Sequence, residues 1–358
     1  MRFRNCAGAA LCLAIAALCA APTQADPAAG RAVALGQTAA LAASERLRTF
    51  AWGKWLETGP APRSVVGAMR GALERQGFYH DGATPRLVWR DFRAAPLIAY
   101  ESNVNGGLAQ DSFTFGDYVF TADPALRALP GVVLGIEASG AARLAWGTGR
   151  LVEIMGEGAL GWAPTEDLGF HRGAVQLCSR NNLVRWVFLD GCLLGAANAR
   201  SLSSANLGRA SLALSTLFET PVGYHELRGE LAQTHADTYD QATATLSLAT
   251  VWTHAVTEMS LTLGAPVEGQ TVLDHRASLD LRWMAGARPV SIGLWHSVSN
   301  GGQFLGLARE DRSLGLTLSW QARPGVTFEL GYARIDSTAD LFDDESASFR
   351  VRLGDFRF

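Results

Sequence analysis

Arg312-Ser313-Leu314-Gly315-Leu316-Thr317-Leu318-Ser319-Trp320 places apolar residues at every second position and small or polar residues between them. Because side chains alternate across a strand, this spacing predicts one fatty and one polar face. Arg323-Pro324-Gly325 follows as a turn signal, and Val326, Phe328, Leu330 and Tyr332 then alternate with Thr327, Glu329 and Gly331. A third segment sets Phe349, Val351 and Leu353 against Ser348, Arg350 and Arg352. Gly354-Asp355 shifts the phase, and Phe356 and Phe358 carry the apolar face to the last residue. In a soluble sandwich the apolar face needs a second sheet, whereas in a transmembrane barrel lipid covers it and the polar face lines the lumen.

At the other end, Arg2 and Arg4 precede an apolar run from Ala7 to Ala21, and Thr23-Gln24-Ala25 offers small residues for cleavage. Residues 1–25 therefore read as a secretory signal peptide. No later run approaches the ~18 apolar residues of a transmembrane helix. Hydrophobic residues are 48% and charged ones 18% of the chain, with 38 glycines, a mixture that suits a barrel better than a soluble enzyme. The net charge of −3 becomes about −5 once the two signal-peptide arginines leave, so no nucleic-acid footprint follows. Cys178 and Cys192 are the cysteines that stay after residue 25. In an oxidising compartment they read as one disulfide, across a turn at Ser179-Arg180-Asn181-Asn182.

Residues 26–94 have helical spacing, first through Leu35, Leu41, Leu47 and Phe50, then through Val65, Val66, Met69 and Leu73 after the breaker Gly59-Pro60-Ala61-Pro62. They are expected to form a small helical segment, placed in the periplasm or folded into the lumen as a plug. From Ala95 to Phe358 the chain is a string of alternating segments separated by turn residues, which predicts an all-β fold, a transmembrane antiparallel barrel of about fourteen strands. The expected lumen parity carries Asp280, Arg282, Glu329, Arg350 and Arg352. Trp162, Phe218, Trp252, Trp320 and Tyr332 lie near strand ends, where an aromatic girdle belongs. The longest connection, Val104 to Gly131, is too apolar for an idle loop and is expected to fold into the barrel or across its mouth.

No metal-ligand spacing, phosphate loop or dinucleotide fingerprint occurs, so neither metal nor cofactor is expected. One stretch suggests chemistry. Trp295-His296-Ser297-Val298-Ser299-Asn300-Gly301-Gly302 is similar to the His-x-Ser-Asn-Gly segment of outer-membrane phospholipases and lipid A deacylases, in which His is the base and Ser the nucleophile. That chemistry needs the two on one strand face. Ser297 and Ser299 are one and three residues from His296, so either requires a bulge to reach it.

A broader resemblance involves no catalysis. Tyr100-Glu101-Ser102-Asn103-Val104-Asn105 resembles the Tyr-Asp-x-Asn-x-Asn motif opening the barrel of surface lipoprotein assembly modifiers, with Glu101 where that family has Asp. Arg309-Glu310-Asp311-Arg312, Leu318-Ser319-Trp320, Gly325-Val326-Thr327, Ser337, Leu341-Phe342 and Phe358 resemble its closing strands. Residues 26–94 hold only two or three helices, so the family's helical-repeat domain is expected to be absent. A terminal aromatic also resembles the signal read by the barrel assembly machinery, which assigns that role to Phe356 and Phe358. The resemblance implies an outer-membrane barrel that helps a surface lipoprotein client reach the cell surface, with Tyr100, Glu101, Asn103 and Asn105 as the opening motif. Its partners would be outer-membrane lipids, the assembly machinery and the client. The alternatives are a passive porin-like barrel and a lipid hydrolase using His296 and Ser299.

Overall fold

The computed structural model describes residues 28–115, 117–354 and 356–357. The expected signal peptide lies outside them, as does Phe358. Among the described residues three α-helices come first: α1 (Ala28–Thr38), α2 (Glu45–Thr58) and α3 (Arg63–Arg75). The strands are β1 (Arg86–Glu101), a small hairpin of β2 (Ser112–Phe115) and β3 (Tyr118–Thr121), β4 (Gly131–Gly147), β5 (Arg150–Ala163), β6 (Leu168–Val184), β7 (Val187–Ala199), β8 (Ser204–Thr220), β9 (Gly223–Ala236), β10 (Asp240–Val251), β11 (Ala255–Gly264), β12 (Val272–Ala285), β13 (Arg288–Phe304), β14 (Leu307–Arg323), β15 (Val326–Ser337), β16 (Asp344–Leu353) and β17 (Phe356–Arg357).

Strands β4 to β16 pair antiparallel with their neighbours in sequence, β1 pairs with β4, and β16 returns to β1. Fourteen strands among the described residues thus close a barrel, with β17 resuming after β16 against Arg93 and Ala94 of β1. Alternation decides the faces. Leu160, Val175, Leu193, Leu212, Leu231, Leu246, Leu261 and Leu314 stand on the exterior and are exposed, while the opposite parity carries charges, hydroxyls and glycines. Closure satisfies the backbone without water, and lipid covers the leucine belt. Such a barrel resides in the bacterial outer membrane.

The turns beginning at Thr148, Arg185, Pro221, Trp252, Gly286 and Pro324 are short, whereas residues 102–130 on the other side form the longest connection. Short turns mark the periplasmic end, so β1 starts there and β17 lies there too. Two expected boundaries move. Strand β1 begins at Arg86, not near Ala95, because a bulge between Leu87 and Trp89 and the inward charges Asp91 and Arg93 break the apolar alternation. The turn between the cysteines is at Arg185-Trp186, with Arg185 at φ 49°. Ser179 to Asn182 stay in β6, where the Asn182 amide donates to the Arg185 and Val187 carbonyls.

Candidate functional site: the lumen, its plug and its mouth

Helix α2 starts at a Ser44 cap, whose Oγ accepts from the Leu47 amide at 3.2 Å. Leu47, Phe50 and Ala51 join Leu35, Ala39 and Ala42 in an apolar cluster with Phe188, Leu217, Tyr224, Val251 and Val256 of the barrel wall. Phe50 meets Trp186 and Tyr224 edge-on, with centroids 5.1 and 5.6 Å apart. The helical segment is therefore a plug seated in the periplasmic end. Its apolar side rests on the wall of β7 to β11, and removal of that surface from water favours the docked state.

The other contribution is ionic. Arg143 of β4 and Glu153 of β5 are directly opposed and bonded at 2.6 Å; Glu153 also holds Arg180 of β6. Arg180 faces Asp190 of β7, which accepts from Arg228 of β9 at 3.0 Å. Glu230 then joins Arg228 to Arg209 of β8. The plug inserts two adjacent residues into this row. Glu45 binds Arg143 and its own neighbour Arg75 at 2.5 and 2.6 Å, and Arg46 binds Asp190. The Glu153 and Asp190 side chains are each 1% exposed, so their charges depend on these partners. Burial alone would raise the Glu45 pKa, but Arg143 and Arg75 outweigh it and hold the carboxyl below its ordinary value.

Among the described residues, two of the cavities in the lumen are larger than the one beside them between β1 and β6. One of about 640 Å³ lies under the start of α2, among Arg48, Arg75, Arg143, Glu226, Arg228 and Glu258. The other, about 630 Å³, is lined by Arg93, Arg172, Arg350 and Arg352 against Glu137 and Glu157, an excess of basic groups. The wall of β10 to β14 presents hydroxyls, with Thr245 bonded to Thr262 and Ser260 to Ser278.

Residues 102–115 and 117–130 lie across the outer mouth. The Asn105 side chain is buried, donating to the Arg127 carbonyl at 2.6 Å and accepting from Leu129 at 2.9 Å. Asn103 exchanges bonds with Gly107, and Glu101 pairs with Arg200 at 3.0 Å. On the far side Gln110 donates to the Asp343 carbonyl and Phe113 meets Phe304. Tyr100 faces outward, 44% exposed. The opening motif thus shapes this cover, with Gly106 turning it at φ 74°.

The five lumen charges read from the sequence fall into two groups. Glu329 bonds Arg352 at 3.2 Å, and Arg350 and Arg352 approach Glu137. Asp280 and Arg282 stand on β12, with Asp280 opposite Glu258. Cys178 and Cys192 are directly opposed on β6 and β7 and are joined as a disulfide. Backbone pairing aligns Phe356 with Ala94. The hydrolase geometry does not form. His296 is in register with Ala277 and shares the outer face with Leu294, while Ser297 and Ser299 have the opposite parity. The bulge in β13 falls beyond Ser299 and does not bring them together. The charge row from Arg143 to Glu230 was not singled out in the sequence. Its only local signal is a charge of one parity near one end of each successive strand.

Among the described residues no cluster of His, Cys, Asp and Glu is arranged to hold a metal ion, and no helix is long and apolar enough to cross a membrane. No family model matches the chain, and no curated protein matches it in sequence. Similar solved structures include OccK1 (OpdK) of Pseudomonas aeruginosa, 9% identical with a TM-score of 0.44, covering 75% of this chain and 99% of that one. OpdO of the same organism is 8% identical at a TM-score of 0.39, covering 75% and 97%. OccAB2 of Acinetobacter baumannii is 7% identical at 0.40, covering 75% and 98%. At this distance the assignment of the barrel rests on its own strand pairing.

Proposed function

We propose that the chain is an outer-membrane diffusion channel for small polar solutes, narrowed at its periplasmic end by a docked plug, and not an enzyme. The observation that carries this reading is the lumen, in which charged and hydroxyl groups surround two cavities between plug and outer cover. A barrel of fourteen strands lies between those filled by their own side chains and the open sixteen-stranded porins. A narrow, selective path is the natural outcome. The basic excess of the second cavity favours anions. Purified protein in planar bilayers should give small, anion-preferring current steps, and deletion of residues 30–76 should enlarge them. No current from either form overturns the channel reading.

One observation favours a second reading, in which the barrel helps a lipoprotein client reach the surface, as the likeness to surface lipoprotein assembly modifiers implies. Among the described residues β16 pairs with β1 from Leu97 to Glu101 and β17 adds Arg93 and Ala94, whereas β4 pairs with β1 from Arg86 to Glu101. The short closing seam offers a lateral route. Its test is argued in the last paragraph below.

A further inference from the structure

The charged groups around the cavity under α2 are nearly all matched. Glu45 holds Arg75 and Arg143, Asp190 holds Arg46 and Arg228, Glu153 holds Arg180, and Asp91 holds Arg93. Three lining side chains make no ion pair among the described residues: Arg48, Glu226 and Glu258. Arg48 donates to the backbone carbonyls of Ala42 and Ala43, just before its own helix, at 2.5 and 3.2 Å. Glu226 is 8% exposed, and its Oε2 is buried without a hydrogen-bond partner. The Ser44 hydroxyl also acts on this carboxyl, and Arg46 and Arg228 act on it at longer range, but both arginines are turned onto Asp190.

Register places these two carboxylates, neither of them in an ion pair among the described residues, at one level. Glu226 is opposite Ala249 of β10, and Ala249 is opposite Glu258 of β11. At ~4.8 Å between adjacent strands, their backbones stand roughly 10 Å apart with only an alanine between. Asp280 of β12 continues the row beyond Glu258. A buried acceptor without a donor is costly unless something in the adjoining space supplies one. Water supplies a donor to Glu226, yet it leaves the Arg48 charge and the negative wall unmatched.

We propose that this cavity binds a small linear solute with a carboxylate at one end and a primary ammonium at the other, the carboxylate on Arg48 and the ammonium between Glu226 and Glu258. The volume of about 640 Å³ accommodates a chain of several heavy atoms. The two ends meet groups of opposite sign that the ionic row leaves over, so each end gains a charge-assisted partner. This goes beyond the channel reading, because it requires the docked plug and not passage of the solute.

The test is isothermal titration calorimetry on the full chain in detergent micelles, with glycine, 4-aminobutyrate and 6-aminohexanoate as probes and acetate and butylamine as single-charge controls. At least one amino acid should bind ten times more tightly than both controls. Arg48→Gln and Glu258→Gln should each weaken it at least tenfold, with retention of the unheated gel mobility as the control for folding. Should Glu226→Gln fail to fold, those two partly exposed positions decide. Equal affinity for amino acids and controls, or unchanged binding in both variants, overturns the proposal. A barrel that binds but conducts nothing would remove the channel reading and leave this one standing.

Discussion

Arg46 of the plug and Asp190 of the wall form a two-pronged pair, Nη1 donating to Oδ2 at 2.8 Å and Nη2 to Oδ1 at 2.7 Å. The residues are 144 positions apart in sequence, and Arg46 also lies over the Phe188 ring at 4.1 Å. Removing one partner of a buried ion pair costs about 3–5 kcal/mol, but Asp190 keeps Arg228 and Arg180 here, so Arg46→Ala should weaken docking by about 1–3 kcal/mol. Larger or more frequent current steps, and faster tryptic cleavage within residues 45–63, are the expected readouts. An unchanged cleavage rate would show that the apolar cluster holds the plug alone.

Docking should also depend on acidity in one direction. Glu45 has its carboxyl lowered from 4.5 by Arg143 and Arg75, despite burial. A depressed carboxylate stabilises the docked form fully above its unfolded pKa, and that contribution is lost as pH falls through the lower folded value. Chemical labelling should therefore find the plug unchanged between pH 7 and pH 5 and loosened as the pH falls below the ordinary carboxylate range. Glu45→Gln should reduce this dependence, leaving the part that Asp190 contributes through Arg46, and loosen the plug at neutral pH as well.

The disulfide joins residues 14 apart across one hairpin. In the chain-entropy model, closing a loop of this size contributes about 3 kcal/mol, through the unfolded state. Cys178→Ser with Cys192→Ser should lower the temperature at which the barrel loses its compact gel mobility while leaving conductance intact. Mass spectrometry of protein from an oxidising compartment should find no free thiol at either position.

The strand count and the two faces were legible because lipid and lumen impose opposite demands on alternate residues, as Leu314 and Ser313 show in one strand. Strand ends were less legible where the demand changes. Arg86 to Arg93 carry interfacial and lumen charges, so the local pattern hides a strand that β4 pairs along its whole length. Whether the helices plug the barrel was not readable, since Arg46 meets Asp190 only after closure brings β7 beside α2. His296 illustrates the converse. Its neighbours in sequence suggest chemistry, but alternation sends it to the outer face and both serines inward, so His296→Ala should leave lipid A and phospholipid profiles unchanged.

The closing seam separates the two functional readings. Ile98 of β1 is directly opposite Val351 of β16, and both lie within the short stretch where these strands pair. Cysteines at the two positions, Ile98→Cys with Val351→Cys, have the opposed geometry that Cys178 and Cys192 already use. A lateral route requires the strands to part, because a client segment must pass between their hydrogen-bonding edges. A lumenal channel requires them to stay together. Oxidising the engineered pair should leave single-channel currents as they were if solutes pass along the lumen. Where deletion of the gene reduces protease accessibility of lipoproteins on intact cells, complementation by the oxidised pair should fail if export uses the seam and succeed once the pair is reduced. Export that survives the lock removes the lateral route. Surface exposure unchanged by the deletion itself removes the client reading altogether, leaving the lumen and its plug as the working parts.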